Sequence, residues 1–139
     1  MRIVVDTNIF ISGTFWYGLS NQILKLVEEG KIKLIISEEI YEEYERVLKY
    51  EEIQEKIKIK NLEMKYTLEK IINISESVRP IEKINVITED KDDNKFLEAA
   101  VAANANFIVS NDKHLLKLEI FRGIKILTPE EFLKEFKDE

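Results

Sequence analysis

The sequence predicts an α/β protein, a three-layer α/β/α sandwich with a mainly parallel central sheet. Short β-branched runs alternate along the chain with stretches of helical spacing. The alternation continues from end to end without repeats or low-complexity segments. Four glycines and two prolines in 139 residues leave no room for a linker, so a single domain spanning residues 1–139 is expected.

The first element is a β-branched run at 2–5, ending at Asp6. Residues 20–29 place Ile23, Leu24, Leu26 and Val27 at helical spacing, and Gly30 stops the helix. Residues 32–36 form the second strand. Ser37 opens a helix reaching about Tyr50, with Glu38 and Glu39 suited to its positive N-terminal end. Two further helical segments are expected at about 51–59 and 61–73. Pro80 and alternating polar residues read 74–91 as loop, with a short strand near 74–78. A helix over 94–104 buries Phe96, Leu97, Ala100, Val101 and Ala103, and Phe107–Val109 is the next strand. A short helix near 113–118 and a strand at 124–127 follow. Thr128, Pro129 and Glu131 then supply an N-cap, a first-turn proline and the glutamate of a capping box.

Composition narrows the chemistry. With no cysteine and one histidine, disulfides, thiolate catalysis and His-rich or Cys-based metal sites are excluded, and a Ser-His-Asp triad is unfavoured. The opening apolar run is too short for a signal peptide. No stretch approaches the roughly 20 apolar residues of a membrane span. A cytoplasmic protein is the expectation. The net charge of −6 opposes broad attraction to nucleic acid, although cations bound at a carboxylate site would offset part of it.

The carboxylates carry the functional reading. In open parallel sheets, ligands bind outside the carboxyl ends of the strands. Asp6 and Asp112 each follow a strand, Glu43 lies on the helix opened by Ser37, and Asp92 and Asp93 sit at the mouth of the helix leading to the strand before Asp112. Acids brought this close raise each other's pKa and oppose folding unless a cation compensates. Oxygen-only ligands suit Mg²⁺ or Mn²⁺. Such an ion activates water for phosphodiester hydrolysis and needs neither a covalent nucleophile nor a histidine base.

Simpler readings exist for each acid. Asp6 can make a turn after its strand, and Asp92, Asp93 and Asp112 can cap helices. Glu43 belongs to a glutamate-rich helix, but lies between Ile40 and Val47 on the border of its apolar face, with Glu39 the competing candidate. Trp16 and Tyr17 can stack on RNA bases or simply pack. Lys56, Lys58, Lys60, Lys65 and Lys70 read as a solvated face, and His114 as a surface residue.

In order along the chain, four segments resemble the motifs of PIN-domain nucleases. They are Asp6-Thr7-Asn8-Ile9-Phe10-Ile11-Ser12, then Ser37 through Tyr44 with its acid at Glu43, then Asp92 through Ala100 with its acid at Asp93, and Phe107 through Leu116 with its acid at Asp112. The tail from Gly123 to Phe132 is similar to a subgroup described as toxin subunits of toxin–antitoxin pairs. Each motif alone is a weak signal; four in order are a strong one. The resemblance implies a PIN-like fold and divalent-metal-dependent cleavage of RNA. It also implies a homodimer and, in the toxin branch, a protein antitoxin that blocks the site. Asp6, Glu43, Asp93 and Asp112 would be the ligands, with Asp92 the alternative to Asp93 and either Asp90 or Asp92 contributing at the rim. Asn8 and Ser12 would orient Asp6 or a metal-bound water, and Ser110 and Asp92 would support the ligands. Ser110-Asn111 stands where Thr-Gly or Thr-Arg is common, and keeps the hydroxyl.

Two other enzyme classes that use aspartate after a first strand fit poorly. A haloacid-dehalogenase-type phosphatase needs a second acid where this chain has Asn8, and a receiver domain needs an acidic pair that is missing. The remaining alternative is a catalytically silent PIN-like module that binds RNA or a partner.

Overall fold

In the computed structural model, residues 1–16, 18–59 and 69–137 are described. Six strands form one sheet: β1 (Arg2–Val5), β2 (Lys33–Ser37), β3 (Glu76–Val78), β4 (Phe107–Val109), β5 (Ile120–Phe121) and β6 (Ile124–Leu127). Their order is β3-β2-β1-β4-β6-β5. All neighbouring pairs are parallel except β5–β6. The helices are α1 (Thr7–Phe15), α2 (Leu19–Glu28), α3 (Glu38–Leu48), α4 (Glu51–Ile59), a helical stretch α5 at 69–74, α6 (Asn94–Ala103), α7 (Lys113–Leu116) and α8 (Pro129–Lys137). The α/β sandwich expected from the sequence is the observed architecture.

Strand order positions the site. From β1 the chain steps outward through β2 to β3, then crosses back to place β4 on the other side of β1. Right-handed crossovers therefore send the connections on the two sides of β1 to opposite faces. The direction reverses between β1 and β4, and in open parallel sheets ligands bind above the carboxyl ends of the strands at such a point. Asp6 and Ser110 are the first residues beyond those two strands.

Local chemistry explains most boundaries. Ser37 caps α3 by accepting the Ile40 N–H at 3.2 Å. The expected capping box at α8 forms in both directions, Thr128 N–H to Glu131 at 2.9 Å and Glu131 N–H to Thr128 Oγ1 at 3.2 Å. Two elements depart from expectation. The sequence reading assigned no helix to 7–15, yet α1 is there, burying Thr7, Ile9, Phe10, Ile11, Gly13, Thr14 and Phe15. A helix enclosed on nearly every side has no polar face, so its apolar residues show no period. The β5 edge strand was also unforeseen; at two residues it is too short for a pattern. The expected helix at 61–73 is described only from residue 69, and Tyr17, Lys60, Lys65 and the Lys56 side chain lie outside the described residues. Lys58 and Lys70 are exposed, and Lys70 faces Glu28 at 3.3 Å.

The core joins both sides of the sheet, from Ile3, Val4 and Val5 to Leu34, Ile35, Phe96, Leu97, Ile108 and Phe132. Close approach of α1 and α2 depends on Gly13, where an added Cβ would lie 2.7 Å from Leu24 Cδ1 and 2.8 Å from the Ser20 carbonyl oxygen. The segment before α6, read as loop, is held by α6 itself. Asn94 accepts from the Ile87 N–H and donates to the Ile87 carbonyl, both at 2.9 Å, and Glu98 accepts from the Ile84 N–H at 2.9 Å.

Candidate active site

Asp6 leaves β1 and immediately caps α1, one carboxylate oxygen accepting the Ile9 N–H at 2.8 Å. Its other oxygen accepts the Ser110 hydroxyl. Ser110 Oγ in turn accepts the Asp112 N–H at 2.8 Å. One serine thus ties the turn after β1 to the turn after β4. Asp112 caps α7 by accepting the His114 N–H at 2.7 Å. The capping readings of Asp6 and Asp112 therefore hold, but each cap occupies only one carboxylate oxygen.

Asp93 behaves differently. It precedes α6 with helical backbone angles and makes no side-chain cap. It is 8% exposed, and its Oδ2 is buried without a hydrogen-bond partner. A buried acceptor left unpaired is costly, and it marks a place where something outside the chain can bind. Asp90, Asp93 and Asp112 each offer an oxygen within 4.8 Å of the others. Asp90 is exposed and caps the single 3₁₀ turn Lys91–Asp93 by accepting the Asp92 N–H at 3.2 Å. Asp92 is exposed; its backbone N–H donates to Asp90 and its carbonyl accepts the Asn94 N–H.

Electrostatics links this group to Asp6. Burial, reinforced by the charges of Asp112, Asp90 and Asp6 and by a hydrogen bond to Asp112, pushes the Asp93 carboxyl up to about 7. Burial also raises Asp6, opposed by the Ser110 hydroxyl and by the Ile9 and Asn111 N–H groups, and reinforced by Asp112. Three grouped carboxylates, with Asp6 close enough to act on Asp93 and with a buried Asp93 oxygen left unpartnered, fit a hard divalent cation.

Glu43 stands at the margin, outside the group formed by Asp90, Asp93 and Asp112. Thr7 donates to one of its oxygens, and Lys95 Nζ lies 2.6 Å from the other. Arg46 lies 3.6 Å from that same oxygen. Lys95 is a buried lysine, and sequence reasoning missed it because its partner is 52 residues away. Tyr44, stacked on Phe10 at 4.1 Å, donates to the Val5 carbonyl at 2.8 Å and fixes α3 beside the end of β1. Burial, with the charges of Asp6 and Glu43, holds its hydroxyl well above the usual tyrosine range. Glu39, the competing candidate, is exposed and lines a separate cavity at the ends of β2 and β3. Asn8 and Ser12 are exposed on α1; Ser12 lines a second cavity beside the acids. His114 is half-buried on α7, outside the acid group.

The fold and the site define an α/β protein with a carboxylate cluster, compatible with metal binding, at the reversal point of a mainly parallel sheet. A family model described as PIN domain matches residues 2–114, and the chain belongs to the PIN-domain family. PIN domains are generally nucleases, which supports a hydrolase of nucleic acids. No significant match to the chain is found among curated proteins or among solved structures.

Proposed function

We infer that the chain is a metal-dependent endoribonuclease, with Asp6, Asp93 and Asp112 as principal ligands of Mg²⁺ or Mn²⁺ and Asp90 at the rim. The observation that carries this reading is the buried, unpartnered Asp93 oxygen facing two other aspartates. A bound divalent ion would lower the pKa of an attacking water and offset charge on the phosphodiester. The chain's own residues hold the site ready for it. Ser110 holds Asp6 and the Asp112 backbone in a fixed relation, and the α1 and α7 caps fix both carboxylates in place. Thr7 and Lys95 hold Glu43 in a fixed orientation, from which it would bind the ion directly or through water. Asn8 and Ser12, exposed on the first turns of α1, face the substrate side.

Within this reading the chain is the toxin of a toxin–antitoxin pair, acts on RNA in the cytoplasm as a homodimer, and is silenced by a protein antitoxin over the acid site. The sequence similarity of the 123–132 tail supports that assignment. The test is incubation of the purified protein with labelled RNA and Mn²⁺. Cleavage that disappears in EDTA and in Asp6→Asn is the expected result; cleavage that survives either one refutes the mechanism. One observation favours a second reading, a silent RNA- or partner-binding module: both Glu43 oxygens already have protein partners. Saturable RNA binding without cleavage at any Mn²⁺ concentration would establish that module instead.

A further inference from the structure

Beside Asn111, a cavity of about 450 Å³ opens between the α1–α2 turn and the start of α8. Its volume lies in the range of roughly 300–1,000 Å³ usual for sites that take small ligands. It adjoins the acids directly. The Asn111 N–H hydrogen-bonds Asp6, Asn111 precedes Asp112 in the chain, and Ser12 lies on the helix that Asp6 caps.

The wall has a definite chemistry. Trp16 contributes aromatic surface, and Ser12, Ser20, Asn21, Asn111 and Glu130 contribute polar groups. Among the described lining residues there is no lysine or arginine, and Glu130 adds negative charge. A phosphate is therefore a poor occupant. A neutral, flat, hydrogen-bonding ring is a good one, since Glu130 accepts N–H donors and amide and hydroxyl groups pair with either kind of edge.

The wall is also held in shape before any ligand arrives. Trp16 closes α1, its N–H on the Ser12 carbonyl at 2.9 Å and its ring edge-on to Phe15 at 6.3 Å. Asn21 is anchored by its amide nitrogen to the Gly13 carbonyl at 2.8 Å. Glu131, next to Glu130, is locked in the capping box.

We propose that this cavity receives one unpaired nucleobase of a single-stranded RNA, stacked on Trp16, so that the adjoining phosphate is delivered to the acid cluster. The inference rests on the nuclease reading above and deepens it: it makes the substrate single-stranded at the cleavage point, because a base already paired and stacked within a duplex has no free face to lay on Trp16. Cationic side chains are not needed inside the cavity, since the phosphate stays outside it.

Trp16 is the chain's sole tryptophan, so intrinsic fluorescence reports on this cavity. The full-length protein and Asp93→Asn, which removes one charge facing the phosphate, are titrated in EDTA with a single-stranded oligoribonucleotide. The same strand annealed to its complement is the control, and anisotropy of a labelled copy reports binding independently. The expected result is saturable quenching by the single strand and little by the duplex. Trp16→Leu should weaken binding, or raise KM, roughly 5- to 100-fold while kcat at saturation stays within about twofold. Trp16→Phe should recover most of the loss, and melting curves should show both variants folded. RNA that binds without changing the fluorescence, RNA that binds neither protein, equal quenching by duplex, or an unchanged KM in Trp16→Leu overturns the proposal. Quenching without metal-dependent cleavage leaves the base pocket standing and overturns the catalytic reading alone.

Discussion

Replacing Asp93 by asparagine keeps the side-chain shape, deletes a charge and provides an amide donor toward Asp112. In the metal-free protein this change should stabilise the fold. The Asp93 carboxyl rises from 3.8 to about 7 on folding, a shift that corresponds to about 4 kcal/mol of destabilisation above pH 7 at full strength. Water at the exposed Asp90 rim screens part of the repulsion, so a gain of roughly 2–3 kcal/mol is expected, or roughly 6–9 °C in Tm for a chain of this size. The sign follows from proton binding. A carboxyl with a raised folded-state pKa binds more protons when folded, so the metal-free protein should lose stability as pH rises from about 4 to 7. Burial raises Asp6 in the same direction. The lowered carboxyls of Glu82, Glu89 and Glu131 act below that window, where their protonation removes stability as pH falls. Thermal melts in EDTA between pH 5 and 7.5 should therefore slope downward for the wild type and more gently for Asp93→Asn. Millimolar Mn²⁺ should stabilise the wild type, by about 2.7 kcal/mol at one hundred times Kd, and so raise its Tm, with a much smaller effect on the variant. A variant less stable than wild type at pH 7.5 in EDTA, or one that keeps the full Mn²⁺ response, would refute the reasoning.

Further outcomes follow from packing and pairing. Gly13→Ala should cost roughly 1–2 kcal/mol in urea unfolding, because overpacking against Leu24 and the Ser20 carbonyl outweighs the helix propensity gained; an unchanged midpoint would mean that α1 and α2 separate freely. Lys95→Met should destabilise by roughly 1–3 kcal/mol by leaving the half-buried Glu43 without its nearest cation, and Glu43→Gln in the same chain should recover part of the loss in a double-mutant cycle. Thr128→Ala should cost about 1 kcal/mol through loss of the α8 cap, and an unchanged urea midpoint would contradict the capping assignment.

Much of the architecture was legible because it rests on local chemistry. The strands at 2–5, 107–109 and 124–127 and the helix at 51–59 coincide with their expected bounds. The Ser37 cap and the Thr128–Glu131 box form as their spacing dictates. These features depend on a few adjacent side chains and would form in almost any surroundings. The candidate acids were legible for a related reason. A parallel sheet places whatever follows its strands at one edge, and Asp6 and Asp112 follow strands.

Pairings across long sequence distances were decided by the tertiary structure alone. Whether Asp93 capped a helix or faced other acids could not be read from Asp92-Asp93-Asn94, since both outcomes suit a helix start; its buried, unpartnered oxygen distinguishes them. Nothing in the sequence pairs Lys95 with Glu43; only the placement of α3 brings Glu43 within 2.6 Å of it. The same holds for α1, whose periodicity vanished because neighbours cover nearly all of it, and for the 84–91 segment, ordered by Asn94 and Glu98 rather than by its own residues. Sequence by itself determined the elements and the kind of chemistry available, because propensity, capping and residue type are local. Which carboxylate is left unsatisfied, and which is neutralised by a lysine, was decided only when folding set the distances, because desolvation and Coulomb energy depend on separation in space and not along the chain.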